Sequence, residues 1–285
     1  MSIKIVTDST SYIPKEFIEK YDIRVVSLNL ITNGESQREV DINSKEFYEK
    51  IDKLDKLPTS SQPAMDEFEE VFLKPLSKGE DILGIFLSSK LSGTYSTSHL
   101  IKNIVNEKYP RPKIEIIDAE TTAMSMGFLV VEAAKLASEG NMTLNQIKNH
   151  IIEMKKRVDI VFIPGSLKNL QKGGRLGKIA ALVGSILKIT PLLHVEDGQV
   201  ALFDKIRTHK KAVDKMFEKV KLANSEKNVK AIVVYHILNE AEGIKIKERV
   251  KYEFGIEAHI MDIGAVIGLH VGPRSVGMAY YTERE

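Results

Sequence analysis

The residues in this chain best equipped for chemistry are hydroxyls gathered at loop positions. In "LSSKLSGTYSTS" (87–98) serines and threonines surround Gly93; in "LPTSSQPA" (57–64) Thr59, Ser60 and Ser61 precede Gln62; "TDSTS" (7–11) follows the first apolar run. Such groups could supply a nucleophile, cradle a phosphate or donate to another anion, and residue type alone leaves all three open. A hydroxyl between a strand and a helix commonly caps the helix, which suits Asp8 to Ser11, while ordinary turn chemistry covers 57–64. Gly93 adds something more: it lets the backbone turn sharply or approach a ligand, and the helix it opens presents free N–H groups to negative charge. Ser92, beside it, is the sharpest candidate.

Two further groups could meet an anion. "SLKNLQKGGRLGK" (166–178) sets Lys168, Lys172, Arg175 and Lys178 around two glycines. It fits neither the G-x-x-x-x-G-K phosphate loop nor G-x-G-x-x-G, and reads as a helix closed by a glycine cap with Arg175 at the surface. "GLHVGPRS" (268–275) holds His270 between apolar residues, at the end of what reads as a late strand. Its imidazole can donate to an anion in either protonation state. The other six histidines form no i, i+4 metal pair.

These residues need elements to position them. "IKIV" (3–6), "IRVVSLNL" (23–30), "DILGIFL" (81–87) and "KIEIID" (113–118) alternate with helix patterns starting near Pro14, Ser44, Ser92 and Thr121, which predicts βαβ units and a mainly parallel sheet. Ligands of such sheets bind beyond the strands' carboxyl ends, where "TDSTS" and "LSSKLSG" lie. Past about Asp159 the runs "IVFIP", "PLLHVEDGQVALF", "VKAIVVYH" and "IEAHIMDI" predict a mixed sheet with a hairpin at Asp197-Gly198. The reading is therefore α/β with two domains, 1–157 and 158–285, the boundary falling in the polar stretch between 140 and 158. The length of 285 residues suits that division.

Composition narrows the functions. A net charge of +2 from 41 basic and 39 acidic residues, with no long basic run, gives no nucleic-acid surface. The absence of cysteine excludes disulfides and thiolate metal sites. No apolar run approaches the roughly 20 residues of a membrane span, and "MSIKIVTDSTS" enters a strand pattern without a signal-peptide core, so a cytoplasmic location is expected.

Taken together, "TDSTS", "TSSQPA", "LSSKLSGTY", "LKNLQKGGRLGK", "LKITPLL" with a following "DG" and "IRT", and "IGLHVGP" resemble, in order and over nearly the whole chain, the DegV family of bacterial fatty-acid-binding proteins. The resemblance implies two α/β domains with one long-chain fatty acid buried between them. It also implies a non-enzymatic role as the acyl-binding subunit of fatty acid kinase, with a separate ATP-binding partner and no cofactor or metal of its own. The family's carboxylate contacts fall on Ser60, Ser92 and His270, and its kinase-encounter and phosphoryl-transfer positions on Arg175 and Arg207. The chain departs from the family pattern at Ser60, where threonine is usual, at Arg274, where a small residue is usual, and at Ala119, which lacks a hydroxyl, so Asp118 is given no role.

The physical chemistry agrees with that implication. A sequestered carboxylate requires donors, and two hydroxyls with an imidazole N–H would offset much of its desolvation at roughly 1.5–3 kcal/mol per charge-assisted bond. Burial of about 0.8 kcal/mol per methylene lets a long tail supply affinity. Apolar helices such as 124–137, with Met124 and Met126, and 179–189 are candidate tunnel walls, and equally candidate core. The rival reading is a serine hydrolase or acyltransferase using Ser92 and His270, which lacks a G-x-S-x-G elbow and an assignable third residue.

Overall fold

The alternating apolar and helical runs of the first half become a four-stranded, all-parallel sheet in the computed structural model, which describes residues 2–51, 57–182 and 189–285. The chain divides into two compact units, one of Met1–Ile31, Ser36–Asp41 and Ser60–Lys156, the other of Thr32–Glu35, Ile42–Thr59 and Arg157–Glu285.

In chain order the first half comprises β1 (Ile3–Asp8), α1 (Lys15–Tyr21), β2 (Arg24–Val26), β3 (Asn29–Thr32), β4 (Glu35–Arg38), α2 (Ser44–Ile51), β5 (Thr59–Ser61), α3 (Met65–Leu76), β6 (Asp81–Phe86), α4 (Thr94–Lys108), β7 (Ile114–Asp118), α5 (Ala123–Glu139) and α6 (Leu144–Met154). The parallel sheet runs β2-β1-β6-β7. Every residue of β6 is buried, as expected for a strand covered on both faces. Its core joins Val6, Val26, Phe68, Phe72, Phe86, Ile101 and Val105, with Phe68 edge-on to Phe72 and Phe86 at 5.5 and 5.2 Å between ring centroids. α6 opens with a capping box in which Thr143 N donates to Gln146 Oε1 at 2.8 Å and Gln146 N to Thr143 Oγ1 at 3.4 Å.

Two readings of this half change. "IRVVSLNL" is two strands: β2 pairs with β1, whereas β3 lies at the centre of a three-stranded sheet ordered β4-β3-β5. The break is at Ser27 and Leu28, whose groups accept from Val40 N (3.3 Å) and Glu39 N (2.8 Å) and so turn the chain out of the parallel sheet. "TSSQPA" is not wholly loop, since Thr59–Ser61 form β5.

The second half comprises β8 (Val158–Ile163), α7 (Leu167–Lys172), β9 (Thr190–Glu196), β10 (Gln199–Ile206), α8 (His209–Lys227), β11 (Val229–His236), α9 (Glu240–Phe254), β12 (His259–Asp262), α10 (Ala265–Val271) and β13 (Val276–Thr282). Its mixed sheet runs β10-β9-β8-β13-β11-β12, parallel only between β11 and β12. Asp197 and Gly198 both hold positive φ, 49° and 74°, which is the geometry that closes the β9–β10 hairpin. One face is sealed by α8 and α9 through Met216, Phe217, Val220, Ile246 and Val250.

Candidate functional site

The first unit organises its hydroxyls around one buried carboxylate. Asp8, at the end of β1, accepts from Thr10 N (2.9 Å), Thr10 Oγ1 (2.6 Å) and Leu87 N (2.8 Å), which ties the end of β1 to the end of β6. Burial outweighs these bonds and pushes its carboxyl up to about 6. Ser9 and Tyr12 donate to Glu39, and Ser11 Oγ to Asp8 O, so much of the "TDSTS" cluster maintains the local structure.

Ser92 and Ser60 are both half-buried and lie on neighbouring segments. Gln62 Oε1, two residues beyond Ser60, accepts from Thr97 Oγ1 at 2.9 Å and faces Gly93, where a Cβ would sit 2.6 Å from it. Only glycine leaves room for that contact, and through it β5 is seated at the start of α4. Ser92 Oγ lies 2.9 Å from Thr94 Oγ1 and accepts from Thr94 N at 3.3 Å, so it serves the helix start. Beyond Gly93, the hydroxyl residues Thr94, Thr97 and Ser98 are buried. Asp118 accepts from Ser89 N and Glu120 N and orders the loop after β7.

In the second unit His270 stands in the last turn of α10, not at a strand end. The run "AVIGLHV" is almost continuously apolar, a pattern that does not separate a short buried helix from a strand. Three contacts that were not apparent in the sequence place this helix. The Tyr48 hydroxyl, on α2, lies 2.7 Å from the Gly264 carbonyl and 3.0 Å from that of Ile263, and Gly268 has no space for a Cβ against it. Asn169 Nδ2 donates to Leu269 O at 3.1 Å, and Ser166 N to Val271 O at 3.0 Å. α7 ends at Gly173 as its glycine cap suggested, and that glycine has a second purpose: a Cβ there would lie 2.2 Å from His270 Nδ1.

His270 is 9% exposed. Burial, helped by the positive charge of Arg175, lowers its pKa to about 4, so at neutral pH it is an uncharged imidazole with one N–H to donate. Arg175 is half-buried and its guanidinium donates to the Gly173 carbonyl, which holds it at the His270 end of α7. Arg207 is exposed just before Thr208, the N-cap of α8, and among the described residues it has no hydrogen bond or ion pair. The structure thus brings Ser60 to the Ser92 segment in one unit and Arg175 to His270 in the other; Arg207 joins neither group.

Met124 and Met126 of the apolar α5 are buried. Of the proposed 179–189 wall, residues 183–188 lie outside the described residues, while Ile179 is buried. Among the described residues no group of three or more His, Asp or Glu could hold a metal, and no helix is long and apolar enough to cross a membrane.

Known proteins match this chain along nearly its whole length. The family model described as an uncharacterised protein of the DegV family matches residues 2–283. A DegV domain-containing protein of Clostridium perfringens is 50% identical over 99% of this chain and 100% of its own. The crystal structure of a fatty acid binding protein from Bacillus subtilis superposes with a TM-score of 0.88 at 33% identity, covering 99% of this chain and 100% of that one. A stearic acid-binding protein from Eubacterium ventriosum gives 0.90 at 25% identity over 99% and 98% of the two chains. The α/β architecture, with its parallel amino-terminal and mixed carboxyl-terminal sheets, is shared with these structures.

Proposed function

This chain belongs to the DegV family, and we propose that it binds a long-chain fatty acid whose carboxylate is held by Ser60, Ser92 and His270. The observation that carries this reading is the whole-length likeness to two structures described by their fatty acid ligands. The local chemistry supports it. Two half-buried hydroxyls on adjoining segments and a buried neutral imidazole are donors suited to a carboxylate, and none requires a counter-charge on the ligand's tail. The proposed domains remain 1–157 and 158–285, with Thr32–Glu35 and Ile42–Thr59 of the first stretch clustering with the second unit.

The fatty acid is, in this proposal, the substrate of a separate ATP-dependent kinase subunit in the cytoplasm, and the chain itself catalyses nothing. Arg175, beside His270, and the exposed Arg207 are the cations that meet the partner and the developing phosphoryl charge. The serine-hydrolase alternative is disfavoured by the same histidine, because a base with a pKa of about 4 is poorly matched to deprotonating a serine near neutral pH. The deciding experiment titrates the delipidated chain with oleate and then supplies ATP. Saturable binding with no acyl phosphate until a kinase is added is the expected result; acyl phosphate from the chain alone, or stoichiometric fluorophosphonate labelling of Ser92, would reject it.

A further inference from the structure

The second unit contains a cleft of about 690 Å³ at the carboxyl end of β8, reached also by the loops after β10 and β11. Its walls include Lys168, His209, Glu242 and Arg274, none of which the fatty acid reading uses. Lys168 and Arg274 are exposed, and among the described residues neither has a carboxylate partner. Arg274 is held in place by its backbone. Its φ is +67°, and its N–H donates to Ile237 O at 2.8 Å. The preceding Pro273 carbonyl packs so closely on Gly165 that a Cβ there would lie 1.7 Å away. The loop bearing Arg274 is thereby locked to the loop that leads into Lys168.

Among the described residues, Glu242 is the single carboxylate lining the cleft, and it is already committed. Glu242 Oε1 lies 2.6 Å from His209 Nε2, and Oε2 accepts from Asn239 Nδ2 at 2.8 Å. α8 starts here with His209, Lys210 and Lys211 and no acidic residue in its first turn, so side-chain charge adds to the positive end of its dipole. Lys168 and Arg274 thus put two cations without a carboxylate partner among the described residues on one cleft, an arrangement that attracts an anion. The volume falls within the range of pockets that take small organic ligands, and the floor includes apolar Ile163, Leu167 and Pro191.

We propose that this cleft is a binding site for a soluble phosphorylated small molecule, its phosphate seated on Lys168 and Arg274 and its body along the apolar floor. The site is separate from the residues assigned to the fatty acid carboxylate, so either assignment can fail without the other. The test titrates the full-length chain, with and without oleate, with pyrophosphate while amide shifts of Gly165, Lys168, His209 and Arg274 are followed by NMR. Saturable shifts at these amides are expected, with affinity about tenfold weaker in Lys168→Gln and in Arg274→Gln, and falling with added salt. Circular dichroism and oleate binding, expected to match the wild type, confirm that each variant is folded. Shifts that rise linearly without saturating, an unchanged affinity in the double variant, or binding only to phosphatidylglycerol vesicles would each overturn the proposal.

Discussion

Loading with a fatty acid should raise the pKa of His270. The protein's own groups lower that pKa from 6.5 to about 4, first by burial and then by Arg175. At 1.36 kcal/mol per unit, protonating this imidazole costs roughly 3 kcal/mol relative to an exposed one. Because the folded value is depressed, stability at His270 is fully present above pH 6.5 and is lost as pH falls toward about 4. A carboxylate in contact adds the opposite charge, an effect of about 1–3 units upward. Affinity for the ionised ligand should then increase, by up to about tenfold per unit of that rise, as pH falls through the window between the unloaded and loaded values. Arg175→Ala removes the second cause of the depression and should raise the unloaded value without abolishing binding. The assay is an NMR titration of ¹³C-labelled histidine, followed with and without oleate. A loaded pKa equal to or below the unloaded one would refute the placement of the carboxylate at His270.

The remaining expectations are briefer. Ser92→Ala should weaken oleate binding by about ten- to a hundredfold, the equivalent of one charge-assisted hydrogen bond, as read by calorimetry; an unchanged affinity would remove Ser92 from the clamp. Gly173→Ala should cost roughly 1–3 kcal/mol in urea unfolding and displace the His270 resonance, because its Cβ has no room against Nδ1. Gly174→Ala, where nothing lies within 4 Å but φ is +70°, should destabilise by backbone strain and leave that resonance in place. Asp8, with its pKa raised to about 6, favours the folded state most below pH 3.8 and loses that advantage as pH rises to about 6. Wild-type stability relative to Asp8→Asn should therefore fall by about 3 kcal/mol across that window in urea unfolding, and a flat difference would show that the carboxyl is not held up by burial. Arg175→Ala and Arg207→Ala should leave oleate affinity near wild type and lower acyl phosphate formation by an added kinase subunit.

How far the sequence carried this reading depended on how local the signals were. The alternation of strands and helices, the Asp197-Gly198 hairpin and the Gly173 cap are set by neighbours in sequence, and each forms as expected. Ser27 was opaque because the bonds that turn the chain there come from residues 39 and 40. The helix carrying His270 was misread because a buried apolar run has no period to distinguish it, and what positions that helix, Tyr48 and Asn169, is far away in the chain. Nothing in the sequence signalled that Ile42–Thr59 would cluster with the carboxyl-terminal half. The cleft at Lys168 and Arg274 was equally hidden, since it exists only once the loops after β8 and before β13 meet at Gly165.

The most direct test of fatty acid binding is native mass spectrometry of the purified chain, before and after lipid extraction and again after addition of oleate. One fatty acid per chain, removed by extraction, restored by oleate and diminished in Ser92→Ala, is the predicted result. A chain that emerges bare and takes up no oleate after extraction would contradict the account.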